Sequence, residues 1–514
     1  RNVMELKDNW MFVKEAENAA DAASKKGTAV SLPHTWNAVD GQDGGNDYHR
    51  GTCWYVTKFQ KPELEAGSQV YVEFLGASVI ADVYLNGEAV AHHEGGYSTF
   101  RVNLTDKLQE ENVLAVALNN ADNNYVYPQK ADFTFYGGLY RDVNVISVPE
   151  THFDLDYFGG TGMKVTPEVE GKDAKILIET WNNTENGEVK VTLFDAERNI
   201  VAEGNGEKTT LHVTDVHLWN GVNDPYLYSV HAQLWVDGEL ADEIETSCGV
   251  RYFHFDPDRG FFLNGKPYNL HGVSRHQDFK GIGNAITKEH HDRDMELIRE
   301  IGANTIRLAH YQHDQYFYDL CDRYGMIVWA EIPYISEHLA DGNENTISQM
   351  KELIVQNYNH PCIVTWGLSN EITISGRRYK KQMLKNHHVL QKMVKEMDPT
   401  RVTTLACYAV CPHWHPVAHI SDIVGWNLYL GWYVPGFFLN DLWIGLWRLL
   451  YPKRCLGFSE YGAEGMPNLH SAKPRRGDNT EEYQNKYHEY MLECFKRHPY
   501  MWGNYVWNMF DFAA

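Results

Sequence analysis

From residue 253 onward the chain alternates short apolar segments with helical patterns, and this repetition constrains the fold more than any other feature. Each segment but the last is followed by sequence suited to a helix, such as KEHHDRDMELIREIG or ISQMKELIVQNYN. Eight strand–helix units predict a (β/α)8 TIM barrel over 253–514 that stops after its eighth strand. The eight predicted strands are 269–276, 304–310, 326–332, 362–371, 402–408, 423–429, 455–462 and 503–512.

The first half of the chain has the two-residue period of half-buried strands instead. In SQVYVEFLG, Val70, Val72 and Phe74 share one face, and Asn86-Gly87 is the turn signal of a hairpin. This pattern continues to residue 149, and a second series of short strands separated by turns follows it. We therefore expect two β domains, at 1–149 and 150–252, the second being an immunoglobulin-like β-sandwich.

The charge of the chain excludes one large class of partners. Its 69 acidic and 46 basic residues give a formal net charge of -23, whereas a nucleic-acid partner requires clustered Lys and Arg. The most apolar stretch, 431–452, contains Pro435, Asn440, Asp441 and Arg448. Its spacing predicts a helix half-buried in a folded domain, so neither a membrane span nor a nucleic-acid partner is expected.

The cysteine pattern gives no sign of a disulfide framework. Eight cysteines are scattered through apolar patterns, and the first residues, RNVMELKDNW, contain no apolar core of a signal peptide. These two observations favour a cytoplasmic protein. The cysteines are at positions 53, 248, 321, 362, 407, 411, 455 and 494.

The histidine-containing motifs do not predict a metal site. CYAVCPHWH offers Cys407, Cys411, His413 and His415, but structural zinc sites usually pair two separated clusters of ligands. We expect no metal or cofactor. The pairs at 290–291 and 387–388 fall in helical patterns, which predicts that they lie on solvated helix faces.

Two of the predicted barrel strands end on a carboxylate, Glu371 in CIVTWGLSNE and Glu460 in CLGFSEYG. The C-terminal ends of barrel strands share one rim, where strands four and seven face each other. Hydrolysis of a glycoside requires one protonated and one ionised carboxyl group on either side of the anomeric carbon. Either glutamate alone could be a surface carboxylate or a helix cap, but the neighbouring Asn370 and Tyr461 favour a carbohydrate site.

Several motifs together resemble glycoside hydrolase family 2, which includes β-galactosidases and β-glucuronidases. In the barrel these are LHGVSRHQD, NTIRLAHYQH, HPCIVTWGLSNEI, VGWNLYLGWY and GFSEYGAEG. Nearer the N-terminus, SLPHTWNAVDG, RGTCWYVTKF and ADFTFYGGLYRDV resemble the sugar-binding jelly roll of that family. The resemblance covers essentially the whole chain and implies a jelly-roll fold for 1–149.

The resemblance also implies roles for individual residues. Glu371 matches the acid/base of the family and Glu460 its nucleophile, which implies a retaining mechanism through a covalent glycosyl-enzyme. Arg307 matches an arginine behind the nucleophile. The implied substrate contacts are Asp132, His276, His310, Asn370, Asn427, Tyr429, Tyr433 and Trp507.

The sugar specificity is less determined than the chemistry. Galactosidases of the family carry a magnesium site and a histidine after the nucleophile, where this sequence has Ile335, Glu337 and Ala463. The first expectation is an exo-acting β-galactosidase without that metal site, and β-glucuronidase or β-galacturonidase is the nearest alternative. β-Mannosidase comes third, and a non-catalytic carbohydrate-binding protein on the same scaffold is the alternative of another class.

Members of this family are often dimers or tetramers, so the resemblance allows a homo-oligomer. The partner that it implies directly is a carbohydrate substrate. The Asn-x-Lys motif with which bacterial β-glucuronidases hold a uronate would fall beyond Ala514.

Overall fold

The computed structural model describes residues 1–514, which form two β-sandwich regions followed by a barrel. The first region consists mainly of a six-stranded sheet, β3-β2-β4-β10-β7-β8, facing a four-stranded sheet, β1-β12-β5-β9. Its elements are β1 Asn2–Glu5, β2 Trp10–Val13, α1 Ala19–Ser24, β3 Thr28–Val30, β4 Thr52–Gln60, β5 Gln69–Phe74, β6 Ala77–Ser78, β7 Ile80–Leu85, β8 Glu88–Glu94, β9 Phe100–Asn103, β10 Glu111–Asn119, β11 Gly138–Leu139 and β12 Val143–Val148.

The predicted period of two is confirmed in this region. Val70, Val72 and Phe74 are completely buried between the two sheets. Asn86 and Gly87 have φ values of 51° and 84° and join β7 to β8 as an antiparallel hairpin. Such positive φ values at both central residues are those of the turn that Asn-Gly favours.

The second region is a smaller sandwich of a three-stranded sheet, β13-β14-β17, and a four-stranded sheet, β16-β15-β18-β19. A small antiparallel sheet, β20-β21-β22, leads from it to the barrel. The strands are β13 Met163–Glu170, β14 Asp173–Thr180, β15 Glu188–Phe194, β16 Ile200–Asn205, β17 Lys208–Val213, β18 Tyr228–Val236, β19 Glu239–Cys248, β20 Phe253–Asp256, β21 Gly260–Leu263 and β22 Lys266–Pro267.

The C-terminal half is the predicted closed barrel of eight parallel strands, in the order of the chain. The pairing of the first strand with the last, Leu270 with Gly503, closes it. The elements are β23 Leu270–Arg275, α2 Lys288–Glu300, β24 Thr305–Leu308, α3 Gln315–Tyr324, β25 Ile327–Glu331, α4 Asn343–Asn357, β26 Ile363–Asn370, α5 Lys380–Met397, β27 Val402–Cys407, β28 Val424–Asn427, α6 Leu439–Leu450, β29 Leu456–Tyr461, α7 Glu481–Arg497 and β30 Gly503–Val506.

A helix follows each of the first seven barrel strands, as the sequence pattern predicts, with one exception. Between β27 and β28 the chain forms only the short 3-10 turn Pro416–His419, so the helix expected there is wrong. Pro412 and Pro416 explain the difference, since proline removes a backbone donor and blocks the preceding helical turn. The helix within 431–452 is present as α6, and no helix of the structure is both long and apolar enough to cross a membrane.

The expectation for the paired histidines is also wrong for one member of each pair. His291 and His387 are buried rather than solvated. His291 lies 2.9 Å from Arg275, and His387 lies 2.7 Å from the hydroxyl of Ser369, directly before Asn370. Helical periodicity identifies the helix but not which of two adjacent histidines faces its neighbours.

The first sandwich packs firmly on the barrel. Tyr97 of the sandwich stacks on Tyr311 of the barrel with ring centroids 4.3 Å apart. The buried Arg141 donates to the side chain of Gln277 at 3.2 Å and to the carbonyl of Gln312 at 3.0 Å. These contacts fix segment 131–135 of the sandwich against the C-terminal rim of the barrel.

Candidate active site

The C-terminal ends of the barrel strands bring most of the predicted site residues together. Their polar side chains form one hydrogen-bonded network, which explains why apolar strands end on amide and carboxylate groups. Arg307 from β24, Asn370 from β26, Asn427 from β28 and Glu460 from β29 belong to it, and Glu371 follows β26 directly.

The centre of this network is the completely buried guanidinium of Arg307. It donates to Glu331 Oε1 at 2.7 Å and to Glu460 Oε2 at 2.8 Å. A third donor reaches Asn370 Oδ1 at 2.7 Å. A buried guanidinium is stable only when its donors are paired, and here two carboxylates and an amide oxygen pair them.

Glu460 is held at both of its oxygens. Arg307 donates to Oε2, and the hydroxyl of Tyr429 donates to Oε1 at 2.6 Å. Only 4% of Glu460 is exposed, so these two donors rather than water satisfy its oxygens. Burial and the charge of Glu460 raise the pKa of Tyr429 well above its usual range, which keeps the phenol a hydrogen-bond donor.

Glu331 is a member of the network that the sequence interpretation missed. Burial by itself raises the pKa of this carboxyl, but the charge of Arg307 and a hydrogen bond from His310 outweigh it, so the pKa is lowered. His310 Nδ1 lies 3.1 Å from Glu331 Oε2. The available signal was the position of Glu331 as the only carboxylate at the end of the third apolar strand.

Glu371 lies in a different environment from Glu460. The only hydrogen bond to its carboxylate within the chain comes from Asn427 Nδ2, at 3.0 Å. Burial and the negative charge of Glu460 raise the pKa of Glu371 to about 7, although Asn427 and Arg307 oppose this shift. This carboxyl group therefore keeps its proton to a higher pH than an ordinary glutamate does.

Asn370 has its amide orientation fixed by two donors. Its Oδ1 accepts hydrogen bonds from Arg307 at 2.7 Å and from Asn427 at 3.1 Å. Its Nδ2 makes no hydrogen bond within the chain and so remains able to donate to a bound molecule. Glu371, the next residue, has a φ of 49°, and this left-handed conformation turns the chain where the strand ends.

Aromatic rings form one wall of the site. His310 stacks on Trp507 with centroids 4.9 Å apart, and His276 meets the same indole edge-on at 5.2 Å. Phe133 of the first sandwich and Phe512 after β30 pack on His276 at 4.9 and 4.5 Å. Burial and the neighbouring charge of Arg307 keep the pKa of His276 well below its usual value, so this imidazole is neutral.

Asp132 and Tyr433 lie at the rim rather than within the network. Neither side chain hydrogen-bonds to the residues at the strand ends, and both are exposed. The negative charge of Asp132 nevertheless contributes to the raised pKa of Glu371. The ring of Tyr433 meets that of Tyr429 edge-on at 5.2 Å, which places it above the nucleophile candidate.

The two histidines of CYAVCPHWH contact other parts of the chain. His413 Nε2 lies 3.1 Å from the carbonyl oxygen of Trp443, and His415 Nδ1 accepts from the backbone of Val417. His413 also packs on Trp443 at 4.2 Å. All eight cysteines are free and buried.

The site thus contains two carboxyl groups in contrasting surroundings at the C-terminal rim of the barrel. Glu460 accepts hydrogen bonds from a guanidinium and a phenol, while Glu371 is shielded from water and faces a negative charge. Such a pair can donate a proton on one side of a bound molecule and supply a nucleophile on the other.

Comparisons with known families agree with this arrangement. Residues 257–514 match the family model "Glycosyl hydrolases family 2, TIM barrel domain". Residues 161–251 match "Glycosyl hydrolases family 2", and residues 43–147 match "Glycosyl hydrolase 2 galactose-binding domain-like".

Three similar proteins carry the same enzyme name. A β-glucuronidase of Bacteroides fragilis is 36% identical over 99% of this chain and 76% of its own length. The crystal structure of an FMN-binding β-glucuronidase from Facaelibacterium prausnitzii L2-6 superposes with a TM-score of 0.95 at 44% identity, covering 99% of this chain and 80% of that one. The structure of a Bacteroides uniformis β-glucuronidase superposes with a TM-score of 0.95 at 35% identity. The match covers 99% of this chain and 65% of that one.

The raised pKa of Glu371 has a consequence for stability. The pKa of its carboxyl group rises from 4.5 to about 7 on folding, so its contribution to the free energy of unfolding is complete below pH 4.5 and is lost as the pH rises through 7. Glu371→Gln has no proton to lose and so avoids this loss. We expect the free energy of unfolding of the variant, minus that of the parent, to be about 2 kcal/mol larger at pH 8 than at pH 5.

Thermal or urea unfolding at the two pH values measures this difference. Glu464→Gln, which alters an exposed carboxylate on the loop after β29, is the matched control and should show no such pH dependence. An equal effect of Glu371→Gln at both pH values would contradict a raised pKa.

Proposed function

The chain belongs to glycosyl hydrolase family 2, and we propose that it is an exo-acting retaining glycosidase that releases terminal β-D-glucuronic acid. The observation that carries the chemistry is the contrast between the two carboxyl groups, Glu460 bound by Arg307 and Tyr429 and Glu371 with a pKa raised to about 7. The glycone is proposed from the three similar proteins, all of which are named β-glucuronidase. The galactoside expected first from the sequence has less support than this alternative.

In the first step Glu371 donates its proton to the glycosidic oxygen while the bond from that oxygen to C1 breaks. A carboxylate oxygen of Glu460 bonds to C1 from the opposite side. Arg307 and Tyr429 orient the attacking group, since each holds one of its oxygens. The Nδ2 group of Asn370 is placed to bond a sugar hydroxyl, and the family resemblance assigns this role to it.

In the second step Glu371 acts as a base instead of an acid. Once Glu460 is esterified, its negative charge no longer acts on Glu371, so the pKa of Glu371 falls and it accepts a proton from water. The water oxygen bonds to C1 as the bond from Glu460 to C1 breaks. The sugar leaves with its original anomeric configuration, and both carboxyl groups return to their initial states.

The charged groups at the site bear on which sugar it accepts. The guanidinium of Arg307 is already paired with two carboxylates, Glu331 and Glu460. A uronate would therefore need a cationic or multiple-donor partner outside this network. A substrate pair that differs only at C6 isolates the contribution of that partner.

We predict that p-nitrophenyl β-D-glucuronide is the preferred substrate, by at least about 100-fold in kcat/KM over the corresponding β-D-glucoside. A site built for a carboxylate leaves its polar groups unpaired when a hydroxymethyl group replaces it. Matched galacturonide, galactoside and mannoside substrates complete the comparison. Preference for the galactoside would reinstate β-galactosidase, and binding without turnover of any substrate would indicate a non-catalytic carbohydrate-binding protein.

The two glutamates should fail in different ways. Glu460→Gln should abolish turnover of every substrate while the fold, measured by circular dichroism, is unchanged. Glu371→Ala should reduce kcat/KM strongly for alkyl glycosides and much less for p-nitrophenyl glycosides, whose leaving group needs little protonation. Equal losses on both kinds of substrate would contradict the acid role of Glu371.

The pH profile should report the protonation of Glu371. Activity should decline above about pH 7, where this carboxyl loses its proton. Asp132→Asn removes a negative charge that raises the pKa of Glu371, so the alkaline limb of kcat/KM should move to lower pH by less than about one unit. Asp122→Asn, at an exposed carboxylate of the same sandwich that pairs with Arg50, should leave the limb in place. A shift to higher pH in Asp132→Asn would contradict this assignment.

A further inference from the structure

Ser459 is the residue directly before Glu460 on β29, and its side chain is completely buried. Its hydroxyl makes one hydrogen bond, to Asn427 Oδ1 at 2.5 Å. The other end of that amide, Asn427 Nδ2, lies 3.0 Å from Glu371 Oε1. Ser459 is thus joined to the acid/base through a single intervening side chain.

The direction of these hydrogen bonds is set by Arg307. A guanidinium has donors only, so the oxygen of the Asn370 amide must face it, at 2.7 Å. That oxygen also lies 3.1 Å from Asn427, which must therefore present its Nδ2 group there. Asn427 Oδ1 is then left facing Ser459, and the hydroxyl of Ser459 has to donate to it.

The same direction decides which oxygen of Glu371 carries the proton. Oε1 accepts from Asn427 Nδ2, whereas Oε2 makes no hydrogen bond within the chain. In a protonated carboxyl group the carbonyl oxygen is the better acceptor, so Oε1 stays the carbonyl oxygen and the proton lies on Oε2. A proton on Oε2 has no competing acceptor in the protein and is available to the glycosidic oxygen of a substrate.

The opposite orientation of the Asn427 amide would give the opposite result. With Oδ1 toward Glu371, the amide would accept a proton carried on Oε1, and the protein instead of the substrate would hold the acid. Two groups oppose that rotation, the hydroxyl of Ser459 and the amide oxygen of Asn370. Only 1% of Asn427 is exposed, so water cannot replace Ser459 as the donor.

The packing of β28 against β29 keeps Ser459 in place. Gly425 of β28 lies beside it, and a Cβ atom added to Gly425 would come within 2.9 Å of both Cβ and Oγ of Ser459. Glycine at this position therefore leaves the space in which the hydroxyl reaches Asn427, two residues further along the same strand. The backbone carbonyl of Ser459 is held as well, since Arg307 donates to it at 3.3 Å.

We propose that Ser459 is a positioning residue for the acid/base, which holds the Asn427 amide as a donor to Glu371 and so keeps the acidic proton on Oε2. This role rests on the proposed glycosidase function, but the hydrogen bonds that carry it are a property of the folded chain alone. Ser459 acts only through Asn427, which lies between it and the acid/base.

The pKa of Glu371 reports this arrangement. Burial and the charge of Glu460 raise that pKa, and the donor bond from Asn427 lowers it. Rotation of the amide would replace a donor to the carboxylate by an acceptor for the acid, so the pKa should rise. The charged and titratable groups around Glu371, all of which a change at Ser459 leaves in place, are Glu460 of β29, Arg307 of β24, Asp132 of the first sandwich and Tyr429 after β28.

Ser459→Ala tests the proposal, because it removes a single oxygen atom from the core. The alkaline limb of kcat/KM should move to higher pH, by up to about one unit. At about pH 6, below this limb, kcat/KM should fall at least about 10-fold for methyl β-D-glucuronide and less than about 3-fold for the p-nitrophenyl glucuronide, whose leaving group needs little protonation. Ser459→Cys, with a weaker donor at the same place, should fall between the alanine variant and the parent.

Ser421→Ala is the matched control. Ser421 is 2% exposed and donates to the carbonyl oxygen of Ile423 at 2.6 Å, before the start of β28 and at the other end of that strand from Asn427. Its loss should leave both the limb and the ratio of the two substrates unchanged. In Ser459→Ala, a limb that stays in place or moves to lower pH, or equal losses on the two substrates, would overturn the proposal.

A stability measurement separates this role from the proposed function. A group whose pKa rises on folding stabilises the folded state at low pH and loses that effect as the pH rises through the folded pKa. The free energy of unfolding should therefore fall more between pH 5 and pH 8 in Ser459→Ala than in the parent, and Glu371→Gln should abolish that difference.

If the parent hydrolyses no glycoside, the proposed function fails, and this measurement by itself decides the role of Ser459. The same pH dependence of unfolding in Ser459→Ala and in the parent would then overturn it.

Discussion

The buried guanidinium of Arg307 is the interaction on which the rest of the site depends. It lies inside the barrel with no contact to water, so every donor must find an acceptor within the protein. Glu331, Glu460 and Asn370 provide these acceptors from three different strands. Loss of any one would remove an acceptor from the buried guanidinium, so the geometry of the strand ends is fixed in relation to one rigid group.

That fixed geometry allows one residue type to take different charge states within a single pocket. Glu331 and Glu460 both accept from Arg307, whereas Glu371 lies beyond the reach of its donors and is bound only by the neutral amide of Asn427. The negative charge of Glu460 then raises the pKa of Glu371 further. One carboxyl group bound by a guanidinium and a second one with a raised pKa follow from placement alone, and hydrolysis through a glycosyl-enzyme uses such a pair.

The first sandwich contributes to the site from outside the barrel. The first sandwich completes the pocket, since Phe133 packs on His276 and the charge of Asp132 reaches Glu371. Docking through Arg141 and the stacked pair Tyr97–Tyr311 keeps this contribution in place.

The sequence alone determined the eight barrel strands, the preceding β regions and the two glutamates, because apolar periodicity and strand ends are local features of the chain. It could not show Glu331 as a partner of Arg307, since that contact joins separate strands and carries no local pattern. It also misplaced His291 and His387, because helical spacing does not decide which of two adjacent residues meets a neighbour. Only the tertiary structure decided the protonation of Glu371, since a pKa depends on burial and on charges that are distant in sequence.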